Sequence, residues 1–518
     1  MIDRGEDLRL DIPETFNFGE AIIDGSAEKF GDKTAVICVG SQEMGIKEES
    51  ITFEELRRET NRAANLFMNH GVSHDDRILL ILPDSIEFYL AFYGAIKLGA
   101  IPVPVNTYLS REDYRYFLED SRAKFAIIGD HFMDSFPATS KFLKGYLGAR
   151  EFREMLSDYP QEFEPVKLSK DAMAFWLYSS GTTGKPKGVV HLQHDLLYVA
   201  EGYHKRVLGL NETDICYSVS KLFFAFGLNG AGCGTIYCGA TTIVDPERVE
   251  PERAVEIMRK YGVTVLYTVP NFYSRLTKLK ETYSGLRLAV SAGEPLPAGI
   301  WRRFRERFGA EIVEHIGSTE VCGAFIGSYP GKVRPGYTGV ALPGWEIRLL
   351  DEEGNDVPDG KPGRVYIKGE AVSPFYWEKH EETKKTFIGE WYYTGDVMIR
   401  EGGYYRYVGR ADDLIKTRGL WVSPIKIESV MAKHSAVIEC AVVQGFSDEG
   451  IEVVSAYVNI GDYDRETFIK EMKDMMRQEG LKGYEIPEKW VFVDDLPKTA
   501  TGKIQRYKLR ERERMGVV

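Results

Sequence analysis

The chain has 518 residues, 43% hydrophobic and 28% charged, which is long enough for at least two folded domains and too apolar to be disordered. Lysine and arginine number 66 against 78 acidic residues, a formal charge of −12 that gives no reason to expect nucleic acid as a partner. The six cysteines form no CxxC pair and the nine histidines contain no HExxH spacing, so buried thiols in a reducing compartment are expected and a zinc site is not.

The opening MIDRGEDLRLDIPE places charges where a signal peptide needs an apolar core. The most apolar region, 78–105, is interrupted by Pro83, Asp84, Glu87 and Lys97, so no membrane span is expected and the predicted location is cytoplasmic. Within it RILLILP reads as a buried strand. A helix over 85–98 follows, with Ser85 as N-cap and Gly99 as its stop, and then the strand AIPVPV. TTIV leads to a helix over 251–261, Gly262 and the strand VTVLYTV. LRLAVSA leads to a helix from about Pro297 to Gly309 and the strand EIVEHI. Strand–helix–strand units of this kind predict parallel sheets flanked by helices, with ligands at the carboxyl ends of the strands. After Val340 the alternation in EIRLLDEEGNDVPDGKPGRVYIKG predicts antiparallel hairpins, a β-rich portion over about 340–410. From about Arg410 a small α+β unit is expected. It has a helix near 424–434, strands at VIECAVVQ and EVVSAYVNI, a helix near 465–479 and a last strand WVFV.

Six short words carry chemistry. YSSGTTGKPKGVV, residues 178–190, interleaves Gly181, Gly184 and Gly188 with Ser180, Thr182, Thr183, Lys185 and Lys187. Glycines let backbone N–H groups converge on an anion, hydroxyls add donors, and lysine neutralises charge, which together suit a phosphate-gripping loop. It lacks the GxxxxGK[ST] spacing of a P-loop. A bare SGTTG would read as a surface turn; the ten-residue SSGTTGKPKG does not. IGSTE, 316–320, offers in Glu320 a hard carboxylate suited to Mg²⁺ and in Thr319 a hydroxyl donor. SAGEP, 291–295, sits at a strand end and by itself is only a turn. YTGD, 393–396, puts Asp396 on a tight turn where a carboxylate can accept ribose hydroxyls, or simply cap the turn. GRADDLIKTRG, 409–419, and PKTATGKIQR, 497–506, are polar Gly-containing segments, and Lys503 alone would be a surface lysine.

Together, and in this order, these words resemble the adenylate-forming superfamily of acyl- and aryl-CoA synthetases. The resemblance implies a large N-terminal domain over 1–410 and a small, mobile α+β domain over 411–518, hinged near Asp412. It implies that Ser180, Gly181, Thr182, Thr183, Gly184 and Lys187 hold phosphates. Gly293, Glu294, Pro295, Ile316, Gly317, Ser318 and Thr319 would frame the nucleotide, and Asp396 and Arg410 would contact its ribose or phosphate. Glu320 would bind Mg²⁺, Lys503 and Thr183 would assist adenylation, and Gly419, Leu420 and Trp421 would face coenzyme A. The implied reaction joins a carboxylic acid to CoA at the expense of ATP, through an acyl-adenylate and without a covalent enzyme intermediate.

FNFGEAIID, KLFFAFG (221–227), EWYYTGD and GLWVSPIKIE are similar to the benzoate-CoA ligase branch. That resemblance implies a benzoate or substituted benzoate and an acyl pocket lined by Ala225, Phe226, Gly234, His315 and Gly317. Two departures stand out. His315 replaces the glycine usual before IGSTE, and Gly234 stands where a bulky aromatic residue is expected. His315 could bond a hydroxyl or amino substituent or be a satisfied structural histidine. A branched or medium-chain aliphatic acid, a carrier-protein thiol as acceptor, and a nucleotide-binding regulatory protein without catalysis are the competing readings. Monomer and homodimer are both open.

Overall fold

The computed structural model describes residues 2–179, 185–417, 420–447, 451–498 and 504–515. The chain divides into two compact units, one of 2–347 with 367–392 and the other of 348–366 with 393–518. The β-rich stretch after 340 therefore contributes to both.

The first unit contains a nine-stranded sheet. Its interior runs Ile312–Ser318, Leu288–Ser291, Val265–Thr268, Ile215–Ser218, Thr241–Val244 and Thr34–Cys38, all parallel to their neighbours. Antiparallel strands extend it at both ends, Gly323–Gly327 beside Ile312–Ser318 with Val340–Ala341 beyond it, and Glu49–Thr52 beside Thr34–Cys38. A second, four-stranded parallel sheet has the order Ile101–Pro104, Arg77–Ile81, Phe125–Ile128, Gly145–Gly148. Parallel strands need crossover helices, and these cover both faces of both sheets. Helices Pro251–Tyr261, Pro270–Leu276 and Ala298–Phe308 pack on the outer face of the large sheet through Ala254, Met258, Tyr273 and Phe304. Helix Arg111–Ser121 covers the outer face of the small one through Tyr114 and Phe117.

Helices Phe53–Asn69 and Ile86–Leu98 lie in the shared core between the sheets. A helix enclosed on all sides must be apolar all round, and in Ile86–Leu98 every residue except Glu87 is buried. The ends follow from local chemistry. Thr52 and Glu55 form a reciprocal capping box, Pro251 starts its helix, and Gly99, Gly262 and Gly309 end theirs with φ of +80°, +69° and +71°. Ser85 is the N-cap residue in extended conformation, but its hydroxyl makes no capping hydrogen bond.

The second unit holds residues 393–401 of strand Trp391–Glu401, paired with Tyr404–Arg410, and a sheet of Glu439–Phe446, Glu452–Asn459 and Lys489–Phe492. The first pair of that sheet is antiparallel and the second parallel. Helices Pro424–Met431 and Arg465–Gln478 share a core with one face of it, through Ile427, Met431, Phe468 and Met472. Helix Arg506–Met515 covers the other face with Leu509, against Ala441, Val443 and Tyr457. Among the described residues no helix is long and apolar enough to cross a membrane, and no group of three His, Cys, Asp or Glu side chains could hold a metal ion. All six cysteines are free thiols.

Lys97, one of the charges that interrupts the apolar stretch, is fully buried in the first unit. Its ammonium donates to Asp24 Oδ1 at 2.5 Å and Asn61 Oδ1 at 2.7 Å. Removing one partner of such a pair leaves the other charge uncompensated. Lys97→Ala is expected to lower unfolding free energy by roughly 3–5 kcal/mol, measured by urea denaturation, and more than Lys97→Met with Asp24→Asn together.

Candidate active site

Strand Lys187–Leu192 pairs antiparallel with Met173–Ser179, with Ser179 opposite Lys187 and Tyr178 opposite Gly188. The word SSGTTG therefore begins at the last residue of one of these strands, Ser179. Ser180, Gly181, Thr182, Thr183 and Gly184 lie outside the described residues. At the exit of the hairpin the Lys187 ammonium sits 4.1 Å above the ring centre of Tyr376. The Tyr376 hydroxyl donates to Glu320 Oε1 at 2.8 Å. The segment bearing Tyr376 is fixed to the hairpin by a bridge between Val189 and Tyr376, and by the Trp377 amide donating to the Gly188 carbonyl at 2.8 Å. It is fixed to Glu320 by the Ser373 amide, which donates to the Glu320 carbonyl at 2.7 Å. Lys187 and Glu320 are therefore gathered around one tyrosine that no motif announced.

IGSTE occupies the end of strand Ile312–Ser318 and the 3₁₀ turn Thr319–Val321. The pairing with Gly323–Gly327 is interrupted between Ile316 and Gly317. A Cβ on Gly317 would stand 2.0 Å from the Gly323 carbonyl oxygen, so only glycine fits that close approach. The Thr319 carbonyl accepts from Nε2 of the fully buried His191 at 2.8 Å, and His191 Nδ1 lies 2.9 Å from Asp195 Oδ2. The turn bearing Glu320 is thereby held from below. The Ser318 hydroxyl is buried and makes no hydrogen bond among the described residues. Gly293 has φ of +88° just beyond strand Leu288–Ser291, with Glu294 exposed and Pro295 half-buried beside it.

Glu314, on the same strand as IGSTE, is buried, which pushes its carboxyl up to about 8 despite hydrogen bonds from the Leu296 backbone and the Thr338 side chain.

In the second unit Asp396 faces Arg410 across the hairpin. Asp396 Oδ1 accepts from Arg410 Nη1 at 3.1 Å and from the Tyr407 hydroxyl at 3.2 Å. YTGD lies within strand Trp391–Glu401 and not on the tight turn expected; Gly395 has φ of +76°, and a Cβ there would lie 2.6 Å from Arg410 Nη2, so the strand leaves room at this point for the guanidinium. Asp412 is exposed on the turn after this strand. Leu420 and Trp421 lie on strand Leu420–Val422, paired with Ile415–Thr417. Gly419 and Lys503 lie outside the described residues; Lys498 and Ile504 form an antiparallel bridge.

The residues assigned to the acyl pocket converge in the first unit. Ala225 and Phe226 open a short helix, and Phe226 lies edge-on to His315 and Tyr267, ring centres 5.3 and 6.0 Å apart. The hydrogen bond that the His315 ring makes among the described residues joins its Nδ1 to the Tyr203 hydroxyl at 2.7 Å. Burial, with His204 nearby, depresses the His315 imidazole to about 3, so it is neutral at physiological pH. Gly234 is covered by the ring of His204, which burial depresses to about 4. Sequence reasoning missed Tyr376, Tyr203, Tyr267 and His204.

The raised Glu314 carboxyl gives a signed expectation. A group whose folded value lies above its ordinary 4.5 stabilises the fold in its protonated form, and that contribution is lost as pH rises toward about 8. Thermal unfolding should show the wild type losing stability between pH 5 and pH 8.5 more steeply than Glu314→Gln, whose amide does not titrate.

Residues 23–377 match the AMP-binding enzyme family, and residues 426–503 match the AMP-binding enzyme C-terminal domain. The chain is 37% identical to a benzoate–CoA ligase of Thauera aromatica, covering 97% of each protein. It is 35% identical to a 4-hydroxybenzoate–CoA/benzoate–CoA ligase of Rhodopseudomonas palustris, covering 90% of this chain and 89% of that one. Among solved structures, an anthranilate CoA ligase in complex with anthranoyl-AMP superposes with a TM-score of 0.90 at 33% identity, over 98% of this chain and 99% of that one. With the hairpin, the IGSTE turn and the Asp396–Arg410 pair already in place, these matches over most of its length establish that the chain belongs to the AMP-binding enzyme family.

Proposed function

We propose that the protein is an ATP-dependent aryl acid:CoA ligase that forms an aroyl-adenylate and transfers the acyl group to coenzyme A. The observation that carries this reading is the gathering of Lys187 and Glu320 on Tyr376 beside the SSGTTG hairpin, in a chain 37% identical to a benzoate–CoA ligase.

Adenylation brings a carboxylate against a polyphosphate, so the protein's work is to neutralise and orient charge. Lys187 and Thr183 hold the β- and γ-phosphates at the hairpin. Glu320 has one oxygen held by Tyr376, which orients the carboxylate for a cation shared with phosphate oxygens. One or two carboxylates plus phosphates is the donor set Mg²⁺ takes, and bound there it would neutralise charge on the triphosphate. Ile316 and the SAGEP turn frame adenine, and Asp396 with Arg410 takes the ribose. Lys503 bridges the acid's carboxylate and the α-phosphate during adenylation. Rotation near Asp412 then withdraws it and presents the Gly419 to Trp421 segment to the CoA thiol. A cytoplasmic location belongs to the same reading, supported by the six free thiols.

For the acid, benzoate or a hydroxylated benzoate fits best. With Nδ1 of the neutral His315 ring engaged by the Tyr203 hydroxyl, Nε2 is the nitrogen that would meet a ring substituent, and a phenolic hydroxyl, both donor and acceptor, can pair with it in either tautomer.

Acid-dependent pyrophosphate release with ATP and Mg²⁺, with and without CoA, tests the assignment. Benzoates should support release, and CoA should accelerate turnover; release with aliphatic acids alone would overturn the aryl reading. Lys503→Ala should lower adenylation by about 100-fold or more while aroyl-CoA formation from supplied aroyl-AMP stays within a few-fold. Equal loss of both half-reactions would refute the role of Lys503. His315→Ala should lower kcat/KM for a hydroxybenzoate roughly tenfold more than for benzoate, the scale of one lost buried hydrogen bond.

A further inference from the structure

Two helical segments of the acyl region, Ala200–Val207 and Leu228–Gly234, are wound as π-helices and pack against each other. Such turns are uncommon and concentrate at functional sites, because the wider winding re-aims side chains. His204 projects from the first segment onto Gly234 of the second. A Cβ at position 234 would lie 2.3 Å from both Cγ and Cδ2 of the imidazole. No side chain can grow from position 234 while His204 keeps its place. The imidazole therefore occupies the ground that the aromatic residue expected at 234 would have taken.

His204 is fully buried, and both ring nitrogens are used. The polarity of the chain of bonds is fixed at one end. The Ala225 carbonyl can only accept, so Asn229 presents Nδ2 to it at 2.6 Å and turns Oδ1 toward His204 Nε2 at 3.0 Å. Nε2 then carries the proton and Nδ1 accepts from the Tyr267 hydroxyl at 3.2 Å. Tyr267 in turn packs edge-on to Phe226. One imidazole thus connects, through Asn229 and Tyr267, to both residues assigned to the pocket wall, Ala225 and Phe226.

We propose that His204 is the specificity-determining residue of the acyl pocket, supplying from one π-helical segment the ring missing at Gly234 on the other and fixing, through Asn229 and Tyr267, the positions of Ala225 and Phe226. This rests on the aryl-acid reading above. His204 acts through its neighbours and is a positioning residue.

The test compares full-length wild type, His204→Ala, His204→Phe and the double variant His204→Ala with Gly234→Phe. Each is assayed for pyrophosphate release with benzoate and with 4-butylbenzoate, and melted in parallel. His204→Ala should raise the ratio of kcat/KM for 4-butylbenzoate over benzoate by about tenfold or more, the scale on which apolar pockets discriminate size. The double variant, with the ring returned from the other segment, should bring the ratio back to within about threefold of wild type. His204→Phe should keep the ratio while raising KM for benzoate, since Asn229 and Tyr267 lose their partner. An unchanged ratio in His204→Ala overturns the proposal, as does an equal fall for both acids that Gly234→Phe fails to restore. If His204→Ala does not fold, the double variant decides: folded with the wild-type ratio supports the proposal, and unfolded or relaxed overturns it. A wild type that responds to no aryl acid sinks the aryl reading and this inference with it. A wild type active on benzoate whose variants keep its ratio sinks this inference alone.

Discussion

Tyr376 meets Lys187 through the face of its ring and Glu320 through its hydroxyl, so a cation and a carboxylate are organised by one side chain. The two charges come from segments far apart in the chain, and the backbone around Tyr376 bonds to both of them, at Gly188 and at the Glu320 carbonyl. A polyphosphate needs positive charge on one side and a cation-binding oxygen on the other. An ammonium and a carboxylate left to pair directly would serve neither. The aromatic ring, buried at 3% exposure, keeps both in register.

The same strand that delivers Glu320 also delivers the acyl region, since Ile312–Ser318 carries Glu314, His315 and Gly317 before the turn. Its antiparallel partner approaches closely enough to exclude any side chain at Gly317. Under the proposed function, nucleotide and acid are addressed from this one strand end, which would bring the reacting carboxylate and the phosphate together without a dedicated acid or base.

Much of the frame was legible because local chemistry and global fold agree. Gly99, Gly262 and Gly309 read as helix stops and adopt positive φ, Pro251 reads as a helix start, and the strands around them form the parallel sheets. Ser85 was right in place and wrong in means, because the enclosed helix it opens is held by burial. What stayed hidden depends on contacts distant in sequence. Tyr376 sits in VSPFYWE, where nothing marks it, and becomes significant only through its approach to Val189 and Glu320. The π-winding of Ala200–Val207 leaves no periodic signature in eight residues. Arg506–Met515 escaped notice because its sequence, RYKLRERERM, is nearly all charge, with Leu509 as its buried apolar anchor. The assigned residues 180–184, 419 and 503 carry motif meaning alone.

The two imidazoles at the back of the acyl region refuse protons until the solution is far more acidic than any cell, one to about pH 4 and the other to about pH 3. That end of the site offers hydrogen bonds but no countercharge. In the proposed pocket a monoacid would direct its single negative charge at the phosphates, whereas a diacid would leave its second carboxylate among neutral groups, at a cost of several kcal/mol. Withheld protonation would then disfavour dianions with no repelling side chain required.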